Sequence, residues 1–153
     1  MILDSPDTLF SKVVDRESLY ETGTYILGLD DDSLTEPQKD FKRCYDLWLG
    51  LNNGFSDVCN GTYIASLPRG VVAFERIGSS TIAKAGRLVL AEFERRNLAA
   101  TEERIDQFAF DDETELERFR LAIEKIDEDF MSQIWDAASD IEAQLIGLAS
   151  AQS

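Results

Sequence analysis

The residues of this chain that could do chemistry are almost all carboxylates. It holds 30 Asp and Glu against 15 Lys and Arg and no histidine, for a formal charge of −15 at pH 7. Lack of histidine removes the commonest general base, the usual nucleophilic triads and nearly every zinc or non-haem iron site. An enzyme built from what is left needs two or three carboxylates, such as Asp57, Glu75, Asp106 and Asp127, converging in a closed pocket with shifted pKa values. Cys44 and Cys59 occupy apolar-looking positions with no histidine or further cysteine near them, and read as buried free thiols rather than metal ligands or a disulfide. No catalytic set, metal site or cofactor is expected on these grounds.

What remains is electrostatic. A field of this sign repels nucleic acid and anionic membrane and favours basic partners. The charge is unevenly placed: residues 1–100 hold 15 acids and 11 bases, whereas 101–153 hold 15 acids and 4 bases, so the acidity belongs mainly to the C-terminal third.

The elements that must position these charges are helical. The 153 residues suffice for one domain, 1–153, with an ordinary core. The 44% apolar content argues against disorder, and no apolar run approaches the ~20 residues of a membrane span. The start, MILDSPDTLF, has no basic region leading into a long apolar stretch, so it does not read as a secretory signal and the cytoplasm is the expected compartment. Ser5-Pro6 opens a first helix with Leu9, Phe10, Val13 and Val14 as its apolar stripe. Gly23 and Gly28 are expected to bend or end the next. Thr35-Glu36-Pro37 reopens a helix in which Phe41, Cys44, Tyr45 and Trp48 recur at helical spacing. A short helix starts near Pro68, Gly78 ends it, and Ser79 or Ser80 caps a helix whose Ile82, Ala83, Gly86, Val89, Leu90 and Phe93 mark a central buried face. The pattern is helical again from Thr101, with a break at Phe110-Asp111-Asp112. The expected fold is all-α.

In the last segment Leu116, Phe119, Ile123, Ile126, Phe130, Ile134, Ala137, Ile141, Leu145 and Leu148 trace one apolar face. If this is a single continuous helix at ~100° per residue, Glu113, Glu117, Glu124, Asp127, Glu128 and Glu142 gather on another side as a partner-binding stripe. The alternative is a solvated face that only keeps the protein soluble. Met131 and Trp135 fall near the acidic side of that helix, and a large aromatic there calls for a cover, which makes the pair a candidate homodimer interface.

Between the Trp48 helix and the next lies "LNNGFSDVCNG", residues 51–61. Asn and Gly tolerate positive φ, so Asn52-Asn53-Gly54 suits a helix-ending corner from which Phe55 returns the chain to the core. Asp57 and Asn60 lack a third convergent polar partner.

The succession "LNNGFSDVCNG", "VVAFERIGSS", "AKAGRLVLAEF" and "IEKIDEDFMSQIWD" resembles a bacterial family of small helical proteins, first catalogued as a domain of unknown function, that includes an acidic, dimeric DNA mimic which binds a transcription regulator. The resemblance covers roughly residues 35–145. Asn53, Gly54 and Phe55 lie on the family's loop motif, Ala73, Ile77 and Gly78 on its helix motif, and Ile126, Asp127 and Phe130 on its late motif. The chain departs from the pattern where Gly50 or Leu51 replaces an acid, Asn53 replaces a glycine, and Asp57-Val58-Cys59 replaces a Gln-aromatic stretch. The resemblance implies a homodimer that mimics DNA towards a basic DNA-binding protein. Duplex DNA carries one charge per ~1.7 Å of axis, denser than carboxylates one helical turn, ~5.4 Å, apart. Two acidic helices are needed, and a dimer supplies them. The competing reading from composition is an immunity-type inhibitor covering a toxin's basic cleft.

Overall fold

Local capping decides where the first three helices begin. In the computed structural model, which describes residues 5–60, 62–96 and 113–152, helix α1 (Pro6–Ser11) starts at Ser5, whose hydroxyl accepts from the Thr8 amide at 3.3 Å, with Pro6 supplying a preset φ. Helix α2 (Arg16–Leu27) opens on a reciprocal box between Asp15 and Ser18, and α3 (Glu36–Gly50) on one between Thr35 and Gln38. A single 3₁₀ turn, Leu51–Asn53, then leads into α4 (Gly54–Asn60). The remaining helices are α5 (Ser66–Arg76), α6 (Ser80–Arg95), α7 (Glu113–Asp136) and α8 (Ala138–Ser150). The fold is all-α, with no strand among the described residues. The expected start near Thr101, the break at Phe110-Asp112 and the carboxylate of Asp106 lie outside the described residues.

The helices bury one shared apolar core. Phe41, Cys44, Tyr45 and Trp48 of α3 point into it as their spacing requires, and α5 packs most extensively on α3. Phe41 stacks on Tyr45 with ring centres 5.8 Å apart, and Phe10 meets Phe41 edge-on at 5.3 Å. On the other side α6 lies between α5 and α7, with Phe93 edge-on to Phe119 at 5.1 Å.

Three expectations need correction. Gly23 neither bends nor ends α2. It lies inside the helix because a Cβ there would stand 2.5 Å from the Tyr45 ring, so the glycine is a notch for that side chain. Ser79 stands at the N-cap of α6, yet its side chain makes no capping bond. Finally, the last apolar face is not one continuous helix. It breaks at Ala137 (φ −93°, ψ 6°), whose amide is shared between the carbonyls of Gln133 and Ile134. No proline or glycine stands at the break. It separates a helix that packs on α4 and α6 from one that packs on α1, α2 and α3.

Gly86 places α6 against α5 so closely that a Cβ would sit 2.3 Å from Val71 Cγ2, and both residues are buried. Valine is stiff at χ1 and cannot swing away cheaply. Gly86→Ala is therefore expected to lower unfolding stability by about 1–3 kcal/mol through overpacking, although alanine is the better helix former. Urea unfolding monitored by circular dichroism measures it, and a stabilised variant would refute the close contact.

Candidate functional site

Burial against α6 and α4 fixes which side of α7 faces out. Phe119, Ile123, Ile126, Met131 and Ile134 are buried, while Glu113, Glu117, Glu124 and Glu128 are exposed. At ~100° and 1.5 Å per residue these four glutamates fall within about 60° of one another and along about 22 Å of the helix. None of the four makes an ion pair within 4.0 Å among the described residues. Their neighbours differ: Glu115 receives Arg118 at 2.7 Å and Asp129 receives Lys125 at 2.9 Å. The result is a line of four acids on one face of one helix, with one base, the exposed Arg120, falling on the same face between Glu117 and Glu124.

Two residues expected in that line are elsewhere. Asp127 turns toward α4, where Oδ1 accepts from the Phe55 amide at 2.7 Å and Oδ2 accepts from the Ser56 amide at 3.0 Å and the Ser56 hydroxyl at 2.8 Å. It is the N-terminal cap of α4, supplied from a helix some 70 residues away rather than from the preceding loop. The approach requires Gly54, whose φ is +86° and whose Cβ, if it had one, would lie 2.8 Å from Asp127 Oδ2. The loop "LNNGFSDVCNG" is thus a corner followed by a helix start, and its glycine makes room for a carboxylate that serves the fold. Glu142 lies on α8, past the break, and is only 7% exposed. Its carboxylate accepts from Arg16 Nε at 2.9 Å, joining α8 to α2.

Around Glu142 lies an aromatic chain that spacing did not indicate. The Arg16 guanidinium stands 5.4 Å over the Tyr20 ring, the Tyr20 hydroxyl accepts from the Trp48 indole N–H at 2.8 Å, and Trp48 meets Trp135 at 5.8 Å. Burial pushes the Tyr20 hydroxyl up to about 12; the hydrogen bond from Trp48 opposes the rise and the Glu142 carboxylate adds to it. Of the two residues expected at a dimer interface, Met131 is 9% exposed and belongs to the core, which removes it from any surface patch, while Trp135 is 43% exposed.

The carboxylates named for an enzyme do not converge among the described residues. Asp57 is exposed on α4, Asp127 caps that helix, and Glu75 lies on α5 paired with Arg87, whose hydrogen bond holds its carboxyl below the usual glutamate range. A crevice of about 230 Å³ between α4 and α7 is lined by Ser56, Cys59, Phe119, Arg120, Ile123 and Glu124. Burial, with the Asp127 charge adding, pushes the Cys59 thiol up to about 12, far from thiolate reactivity at neutral pH. Cys44 is likewise buried and shifted up. No group of three Cys, Asp or Glu stands at metal-binding distance among the described residues, and no described helix is long and apolar enough to cross a membrane.

Asp127→Ala removes the acceptor of three bonds, two of them from backbone amides at a helix start. The expected loss is about 1–3 kcal/mol of stability, with Asp127→Asn retaining part of it through its one remaining acceptor oxygen. Urea midpoints of the three proteins test this order, and equal midpoints would show that the cap holds nothing. Comparison of the chain with family models, with curated proteins and with solved structures finds no match.

Proposed function

We infer that this protein is an acidic interaction module whose α7 face occupies the nucleic-acid-binding surface of a basic partner, such as a transcription regulator, in place of DNA. The observation that carries the reading is the alignment on one exposed face of four glutamates that make no ion pair among the described residues. A solubility face needs no alignment, and here four acids share one face with a single base, Arg120. Here the two ion pairs within α7 lie on Glu115 and Asp129 and leave the aligned four free to meet lysines and arginines of a partner.

A second reading, an immunity-type inhibitor covering a toxin's basic cleft, draws on the exposed Trp135 near the end of the same helix. A phosphate backbone has no counterpart to an indole, so an aromatic beside the acids favours a partner-specific surface. Both readings place basic residues opposite the same carboxylates. Genes neighbouring this one separate them: a regulator favours mimicry and a toxin favours immunity.

The complex weakens as salt rises, because exposed charges are screened within a Debye length of ~8 Å at 0.15 M. Its salt slope is shallower than that of DNA, since carboxylates spread over a folded protein condense fewer counterions than phosphates do. The protein therefore competes with DNA better at moderate salt than at low salt. Replacing Glu113, Glu117, Glu124 and Glu128 together by Gln should weaken the complex about fourfold or more, at roughly 0.2–1 kcal/mol for each exposed pair, with the fold retained. A partner captured from lysate at low salt, labelled DNA and the two proteins are titrated at three salt concentrations. If the quadruple variant competes as well as the original, the four carboxylates are a solubility face.

A further inference from the structure

Twice among the described residues a guanidinium lies over an aromatic ring while a glutamate accepts from it. Arg16 stands 5.4 Å over Tyr20 with Nε 2.9 Å from Glu142, and Arg96 stands 5.5 Å over Phe119 with Nη1 2.7 Å from Glu92. The combination follows from the chemistry of Arg: its flat, weakly hydrated cation stacks on a ring while its in-plane N–H groups remain free for a carboxylate. Helix α7 carries an exposed ring without a cation, with a carboxylate about 10 Å further along the same face. Trp135 is 43% exposed, no cation of the described residues lies over it, and Glu128 lies two turns earlier on the same exposed face. At ~100° per residue Glu117, Glu124, Glu128 and Trp135 span only about 40°.

Trp135 is also held in place from below. Its ring rests on Trp48 at 5.8 Å, and Trp48 is buried and fixed by its 2.8 Å bond to the Tyr20 hydroxyl, so a partner does not have to order the platform it lands on. A tryptophan that served only the core would be covered; this one keeps a large apolar surface in water next to aligned carboxylates.

We propose that the exposed face of Trp135 is the docking point for an arginine of the basic partner, whose guanidinium stacks on the indole while Glu128 and Glu124 take neighbouring basic side chains. The inference rests on the reading of α7 as a face for a basic partner. It adds that the face selects arginine over lysine, which a field of carboxylates alone does not do. A second copy of this chain is the poorer occupant, because it would bring the same aligned glutamates against each other.

The test uses fluorescein-labelled octa-arginine, octa-lysine and octa-citrulline with the full chain, read by polarisation and by tryptophan fluorescence. The wild type should bind octa-arginine several-fold more tightly than octa-lysine, with octa-citrulline not binding. Trp135→Leu should abolish that preference while retaining salt-dependent binding of both cationic peptides, and Trp135→Phe should retain part of it. Circular dichroism and urea midpoints confirm that the variants are folded. Equal binding of the two cationic peptides to the wild type, or an unchanged preference in Trp135→Leu, overturns the proposal and leaves the acidic face standing. Undiminished binding to the quadruple Gln variant instead overturns the acidic face. A dimer in sedimentation that Trp135→Leu converts to monomer shows that a second copy takes the site, and also overturns the proposal.

Discussion

The cap that Asp127 places on α4 is the contact from which the rest of the exposed surface follows. A helix of seven residues has almost no cooperative stability of its own, and its first amides are unsatisfied wherever they are not met by an acceptor. Asp127 meets those of Phe55 and Ser56, and its negative charge lies at the positive end of the helix dipole. To do so it must face inward from α7. Once it does, the helical repeat carries Glu124 and Glu128 away to solvent and turns Ile123 and Ile126 into the core. One carboxylate withdrawn from the surface thus acts with the buried Phe119, Ile123, Ile126 and Ile134 to hold the rotation that puts four others on it.

Close approach is the second constraint, and it is met by glycine at the tightest points. Gly23 accommodates the Tyr45 ring, Gly70 the Leu47 side chain and Gly86 the Val71 methyls, so α3 and α5 are gripped by their neighbours with hardly any space between. The Arg16–Glu142 pair ties α8 to α2 at the periphery of the same core, and the Tyr20–Trp48–Trp135 chain continues from it to the end of α7. A partner that touches Trp135 therefore touches a rigid part of the molecule.

Several of the groups that could do chemistry are already engaged inside the fold. Among the described residues the buried carboxylates and the arginines over aromatic rings are already paired within the fold, and the buried thiols are shifted away from reactivity. Four of the acids without an ion pair lie in line on α7, and the aromatic on the same face has no described cation over it. On the function proposed above, the acidic line and the exposed ring take the same kind of group, a basic side chain from a partner.

Period and punctuation determined the all-helical fold from sequence alone. Apolar residues at three- and four-residue spacing, Ser5-Pro6, Thr35-Glu36-Pro37 and Gly78 act through the backbone within a few residues, so their effect is local. The same locality made Glu113, Glu117, Glu124 and Glu128 legible as one exposed line, because the 3.6-residue repeat relates positions on a single helix. Tertiary structure decided the rest. Asp127 has the spacing of a surface acid and becomes a cap because Gly54 leaves it room; Glu142 leaves the line because the helix breaks at Ala137, where no proline or glycine announces it; Met131 is covered and Trp135 is not. Each of these depends on which helix stands opposite, a contact between residues distant in the chain, and periodicity along one helix carries no information about its neighbour.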